Sequence, residues 1–128
     1  MSKLDIQRQR NNVARFVCKL VIKQNVIYLN THNSHEHELI KFEICYALQK
    51  QGKHYITEAP LSTNKHNQAI ADILCLDDGI AYEIMISETL EQCQYKASKM
   101  PNITVIGIRS FQDFKDETYI VIKEGFYE

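Results

Sequence analysis

The chain has 128 residues, 45% of them apolar and 24% charged, with a formal net charge of −1. That is the composition of an ordinary globular protein, long enough for one core and short enough for one domain over residues 1–128. The near-neutral charge gives no sign of a general polyanion binder, so any nucleic-acid contact has to come from a local basic face.

In residues 3 to 24, Val13, Phe16, Val17, Leu20 and Val21 recur at helical spacing, with Arg8, Arg10, Arg15 and Lys19 among them. The spacing predicts a packing helix, and the run NVIYLN after it predicts an edge strand. Together they form an N-terminal extension over residues 1–31. A second helix is expected over 34 to 51, with Asn33 as N-cap, Glu36 three residues on and Gly52 as the stop. At about 100° per residue, Leu39, Ile40, Tyr46 and Ala47 form its apolar face. Glu43 falls near the middle of that face and Glu38 near its edge. A carboxylate inside an apolar stripe is costly without a partner, so Glu43 is a candidate site residue. A solvated Glu43 and a role for Glu38 in its place both stay open.

Three β-prone runs follow: HYITEAPL (54–61), AIADILCL (69–76) and IAYEIMIS (80–87). The polar STNKHNQ separates the first two, and Asp77-Asp78-Gly79 marks a hairpin between the others. A third helix is expected from 88 to 100, stopped by Pro101. ITVIGI (103–108) reads as a strand buried on both faces, and TYIVI (118–122) as a last strand. The order predicts an α/β fold, a mixed sheet flanked by helices.

Strand side chains alternate faces. With the turn at Asp77-Asp78 or Asp78-Gly79, Asp72 and Glu83 point to the same side and lie close together, whereas a one-residue slip would part them. Asp72 stands among Ile70, Ala71, Ile73 and Leu74, and Glu83 between Tyr82 and Ile84. Two carboxylates so placed repel each other and call for a cation. Mg²⁺ suits such a pair, completed by waters. On the next helix Gln92 and Lys96 share a face that can lean over the Glu83 strand. The plainer alternative is solvated acids on a half-exposed sheet.

These residues, over about 33–109, resemble the PD-(D/E)XK nuclease superfamily. Its core is a helix bearing a Glu, a hairpin carrying D and then (E/Q)xK, a helix and a further strand. Asp72 in IADIL and Glu83 in YEIMIS match the hairpin acids, while Met85 stands where the lysine is usual. Members of the superfamily with a displaced lysine take the amine from the following helix, where Lys96 sits. His37, Glu43 and Leu48 in HELIKFEICYAL are similar to the leading helix of replication-relaxation and Holliday-junction-resolvase-like branches of mobile elements.

The resemblance implies a restriction-endonuclease-like fold, core order α-β-β-β-α-β, behind an extra N-terminal helix. It implies a metal-dependent endodeoxyribonuclease acting on DNA in replication, recombination or defence of a mobile element or virus. Glu43, Asp72 and Glu83 would hold Mg²⁺ or Mn²⁺, and Lys96 would stabilise charge on the phosphate. Nucleases of this kind often dimerise, which makes a homodimer an expectation, with the N-terminal helix as a candidate interface. The alternative is a nucleic-acid-binding or replication accessory protein that keeps the fold without cleavage.

The remaining candidates are weaker. His32, His35 and His37 in THNSHEHE lack a zinc spacing and read as a polar helix start. Lys53, His54, Lys65 and His66 could form a basic rim, and Glu58 a fourth acid or a surface residue. The dispersed Cys18, Cys45, Cys75 and Cys93 predict free thiols in a reducing compartment. The polar opening MSKLDIQRQRNN does not read as a signal peptide, and no apolar run reaches the length of a span. A cytoplasmic protein without a membrane partner is therefore expected.

Overall fold

The computed structural model of the chain describes residues 2–18, 23–64 and 67–125. The first helix, α1 (Lys3–Ala14), is capped by the Ser2 hydroxyl, which accepts from the Asp5 N–H. It is shorter than expected, and Lys19, Leu20 and Val21 lie outside the described residues. Only Val13 of α1 is buried. Polar bonds hold the rest: Arg10 pairs with Asp77 at 3.0 Å and Gln9 donates to the Asp77 carbonyl. The run 25–30 is not a strand. It lies beside the first strand through Thr57, whose buried hydroxyl accepts from Tyr28 N–H and donates to the Val26 carbonyl, both at 2.9 Å.

The second helix, α2 (His35–Lys50), starts one residue later in the cap than expected. Ser34, not Asn33, accepts from the His37 N–H. It ends in a Schellman arrangement: Lys53 N–H donates to Leu48 carbonyl and Gly52 N–H to Gln49 carbonyl, both at 3.0 Å. Gly52 sits at φ +77, which glycine permits. The buried face runs through His37, Ile40, Lys41, Ile44, Cys45 and Leu48. Leu39 and Tyr46, expected inside, are 48% and 61% exposed. The helix is thus rotated about its axis from the expected phase, with Glu43 on its flank.

Five strands follow: β1 (Tyr55–Asn64), β2 (Asn67–Cys75), β3 (Ile80–Ile84), β4 (Thr104–Ile108) and β5 (Ile120–Lys123). They lie side by side in sequence order. β1/β2, β2/β3 and β4/β5 are antiparallel, while β3/β4 is parallel. The parallel crossover is made by α3 (Leu90–Ala97), and a short α4 (Phe111–Lys115) precedes β5. Ser110 caps α4, which is too brief to leave a periodic signal in SFQDFKDE. β1 and β2 extend into the polar STNKHNQ run that is expected to separate them.

Strand alternation divides the core into two layers. On one face Ile56, Leu61, Leu74, Ala81, Met85 and Val105 pack with Val13 of α1 and Cys93 and Ala97 of α3. On the other, Tyr55, Ile73, Tyr82, Ile84, Ile106 and Ile108 pack with Ile40, Ile44 and Leu48 of α2 and Phe114 of α4. ITVIGI contributes to both layers, as a strand covered on both sides does.

Gly107 makes room for Met85: a Cβ there would overlap Met85 Sδ and lie 3.2 Å from Ile122 Cδ1. Gly107→Ala is expected to destabilise the fold by about 1–3 kcal/mol through overpacking, read from urea unfolding. An unchanged midpoint would mean that Met85 swings aside freely.

Candidate active site

The β2–β3 turn sets the register. Gly79 N–H donates to the Cys75 carbonyl at 3.0 Å, and Cys75, Leu74 and Ile73 pair with Ile80, Ala81 and Tyr82. The next pair across the hairpin is Asp72 and Glu83. Here the side chains replace the ladder. Asp72 N–H donates to Glu83 Oε2 and Ile84 N–H donates to Asp72 Oδ2, each at 2.9 Å. The two acids are 7% and 1% exposed. Each commits one oxygen to the backbone and leaves the other for something else.

Glu83 Oε1 lies 2.6 Å from Lys96 Nζ. Asp72 Oδ1 has no hydrogen-bond partner among the described residues. His37 Nε2 stands 3.3 Å from Asp72 Oδ2. Lys96 arrives from the last turn of α3, whose start is fixed by a capping box of Thr89 and Gln92. Gln92 is therefore occupied at the cap and does not lean over the β3 strand. Met85, at the usual lysine position, is 2% exposed and packs in the layer under α3.

The charges in this pair are set by position. Burial, and then the Asp72 carboxylate, push Glu83 up to about 8 against the pull of Lys96. Burial also opposes charge on Asp72, but the His37 hydrogen bond, the Lys96 charge and the Ile84 N–H outweigh it and hold Asp72 below its ordinary value. Burial disfavours charge on Lys96 and His37 too. The Glu83 and Asp72 carboxylates outweigh it at Lys96, and the bond to Asp72 outweighs it at His37, so both bases are raised.

A second ionic cluster adjoins the first. Lys41, wholly buried, reaches Glu38 Oε2 at 2.6 Å, Glu58 Oε1 at 2.8 Å and the Tyr28 carbonyl at 2.9 Å. Glu38 Oε1 accepts from Asn33 Nδ2 at 2.9 Å and lies 3.6 Å from His37 Nδ1. His37 thus links the clusters, standing between Glu38 and Asp72. A cleft of about 500 Å³ opens over them, lined by Asn33, Glu58, Gln68, Asp72, Glu88 and Lys96 among others.

Of the residues singled out in the sequence, Asp72, Glu83 and Lys96 come together. Glu43 does not. It lies about 200° around the helix axis from Lys41, half-buried on the flank of α2. The α2 residues that reach the site are His37 and, one step removed, Glu38. His32 and His35 are exposed. Lys53 pairs with Asp78 at 2.8 Å and His54 N–H binds Asp77, at the turn end of the hairpin, away from the acid pair. Lys65 and His66 lie outside the described residues. Glu88, at the cleft and within 3.4 Å of Cys93 Sγ, carried no sequence signal.

Among the described residues no three carboxylate, imidazole or thiol groups are arranged to hold an ion. A closed zinc-type site is therefore not present there. Mg²⁺, by contrast, is commonly held by one or two carboxylates with waters and phosphate oxygens. An Asp72 oxygen without a partner among the described residues, beside a carboxyl whose ionisation Asp72 opposes, fits that kind of ion. No protein family, curated protein or solved structure matches this chain. Among the described residues no helix is long and apolar enough to cross a membrane.

Proposed function

We propose that the chain is a metal-dependent endodeoxyribonuclease of the PD-(D/E)XK type, with a restriction-endonuclease-like fold. The observation that carries this reading is the buried Asp72–Glu83 pair with the Lys96 ammonium 2.6 Å from Glu83, at the wall of an open cleft. The order α2-β1-β2-β3-α3-β4, with β4 parallel to β3, supports it.

Asp72 and Glu83 are the residues that would hold Mg²⁺ or Mn²⁺. Such an ion polarises a phosphate and lowers the pKa of an attacking water. Lys96, one-third exposed, offers its charge to the negative charge that develops on the phosphate. His37 fixes the Asp72 carboxylate from behind, leaving Oδ1 for the ligand. Action in the replication, recombination or defence of a mobile element is part of the same reading, as is a homodimer.

The non-cleaving accessory reading draws support from one observation. Lys96 and His37 already balance the acid pair, and Met85 packs in the core where the usual lysine would stand. Labelled single-stranded, duplex and branched DNA incubated with Mg²⁺ or Mn²⁺ separates the two. Cleavage by the wild type and none by Asp72→Ala is the expected result. DNA bound but uncut by both proteins would select the accessory.

Glu83 makes cation binding pH-dependent. Its raised pKa means that the fold binds this proton more tightly than the unfolded chain does. The stabilisation is complete below the ordinary value of 4.5 and is lost as pH rises through about 8. A divalent cation takes the proton's place. Mn²⁺ should therefore raise Tm more at pH 8.5 than at pH 6. Equal shifts at both would put the ion elsewhere.

A further inference from the structure

Glu58 is in the left-handed region, at φ +48, where a glutamate is seldom found. It falls opposite Asp72 in the β1–β2 register. Thr57 and Ala59 pair with Ile73 and Ala71, while Glu58 and Asp72 themselves are unpaired. The kink takes Glu58 out of the ladder and brings its carboxylate to Lys41, with Oε1 2.8 Å from Nζ. Its other oxygen has no hydrogen-bond partner among the described residues. The same side chain lines the cleft with Asp72 and Lys96.

A counter-ion for Lys41 does not require Glu58, because Glu38 already lies 2.6 Å from Nζ. With both acids present, one lysine faces two carboxylates, and the surplus negative charge is at the cleft wall. No third acid among the described residues stands within reach of an ion shared by Asp72 and Glu83, so Glu58 acts at one remove.

We propose that Glu58 is a positioning residue of the site, its free oxygen accepting a hydrogen bond from a water bound to the cation that Asp72 and Glu83 hold. Lys41 and the kinked backbone fix that oxygen in place. The inference rests on the acid pair being a cation site. Outer partners of this kind commonly change metal affinity about 10–100-fold when removed.

The test is calorimetric titration with Mn²⁺ alone, beside metal-free unfolding midpoints. Glu58→Gln keeps an acceptor for Lys41 but turns an amide N–H toward the cleft. Glu58→Gly relieves the left-handed backbone and removes the group. Glu36→Gln, on the exposed first turn of α2, controls for loss of one charge. Both Glu58 variants should bind Mn²⁺ at least about tenfold more weakly, with the Glu58→Gln midpoint near that of the wild type, while Glu36→Gln binds normally. If Glu58→Gln and Glu58→Gly bind like the wild type and Asp72→Asn loses binding, Glu58 is only a counter-ion and the acid-pair reading stands. Equal weakening by Glu36→Gln would likewise overturn the positioning role, because loss of any nearby charge would then suffice. A wild type that binds no Mn²⁺ overturns both.

Discussion

Lys96→Met is expected to slow the proposed metal-dependent DNA cleavage about 10²–10³-fold, the usual cost of removing one positioned group that faces developing charge. Lys96 is the one cation among the described residues that line the cleft. Its charge is held by Glu83 and Asp72, so it stays protonated throughout the neutral range. The fold should survive, because α3 is anchored by Cys93 and Ala97 in the core and by its capping box. Adding Met85→Lys to this variant should not restore the rate. Position 85 points into the apolar layer against Gly107, and a lysine there has no path to the cleft wall without disturbing the packing. Rates within about twofold of wild type for Lys96→Met would remove the amine from the chemistry.

Lys41→Met is expected to cost about 3–5 kcal/mol of folding stability, read from urea unfolding at neutral pH. The lysine is wholly buried between Glu38 and Glu58 and holds the Tyr28 carbonyl. Methionine fills the volume but leaves two carboxylates facing each other without a cation. A deficit below about 1 kcal/mol would mean that the two carboxylates find other partners and that the Lys41 charge is dispensable.

The β2–β3 hairpin was legible because its signals are local. Asp77-Asp78-Gly79 sets the turn, two-residue alternation sets the faces, and together they place Asp72 across from Glu83. Lys96 was legible by its place on the helix that follows. The phase of α2 was not, although its stripe is written in the sequence. Counting back from Leu48 through Cys45, Ile44, Lys41, Ile40 and His37 gives the buried face. A lysine in the middle of it looks forbidden on transfer grounds. A stripe through Leu39 and Tyr46 avoids that lysine, but it turns the helix and puts Glu43 at the centre. Lys41 is held inside by two carboxylates, Glu38 one turn back and Glu58 of β1, 17 residues away, and no helical periodicity can show the second. His37 was matched to the leading helix of the resemblance, but its contact with Asp72 was hidden for the same reason, since it depends on β2 rather than on the neighbours of His37 in THNSHEHE. The 25–30 run has strand propensity, but Thr57 holds it by side-chain bonds that no backbone pattern announces.

The most direct measurement is diffraction from crystals grown with Mn²⁺, collected at the manganese edge. An anomalous peak within coordination distance of both Asp72 and Glu83, with the Lys96 ammonium moved off Glu83 Oε1 to admit it, is the expected result. No peak at the pair under saturating Mn²⁺, with Lys96 still at 2.6 Å from Glu83, would contradict the cation site and leave the acids as a structural plug in an open hairpin.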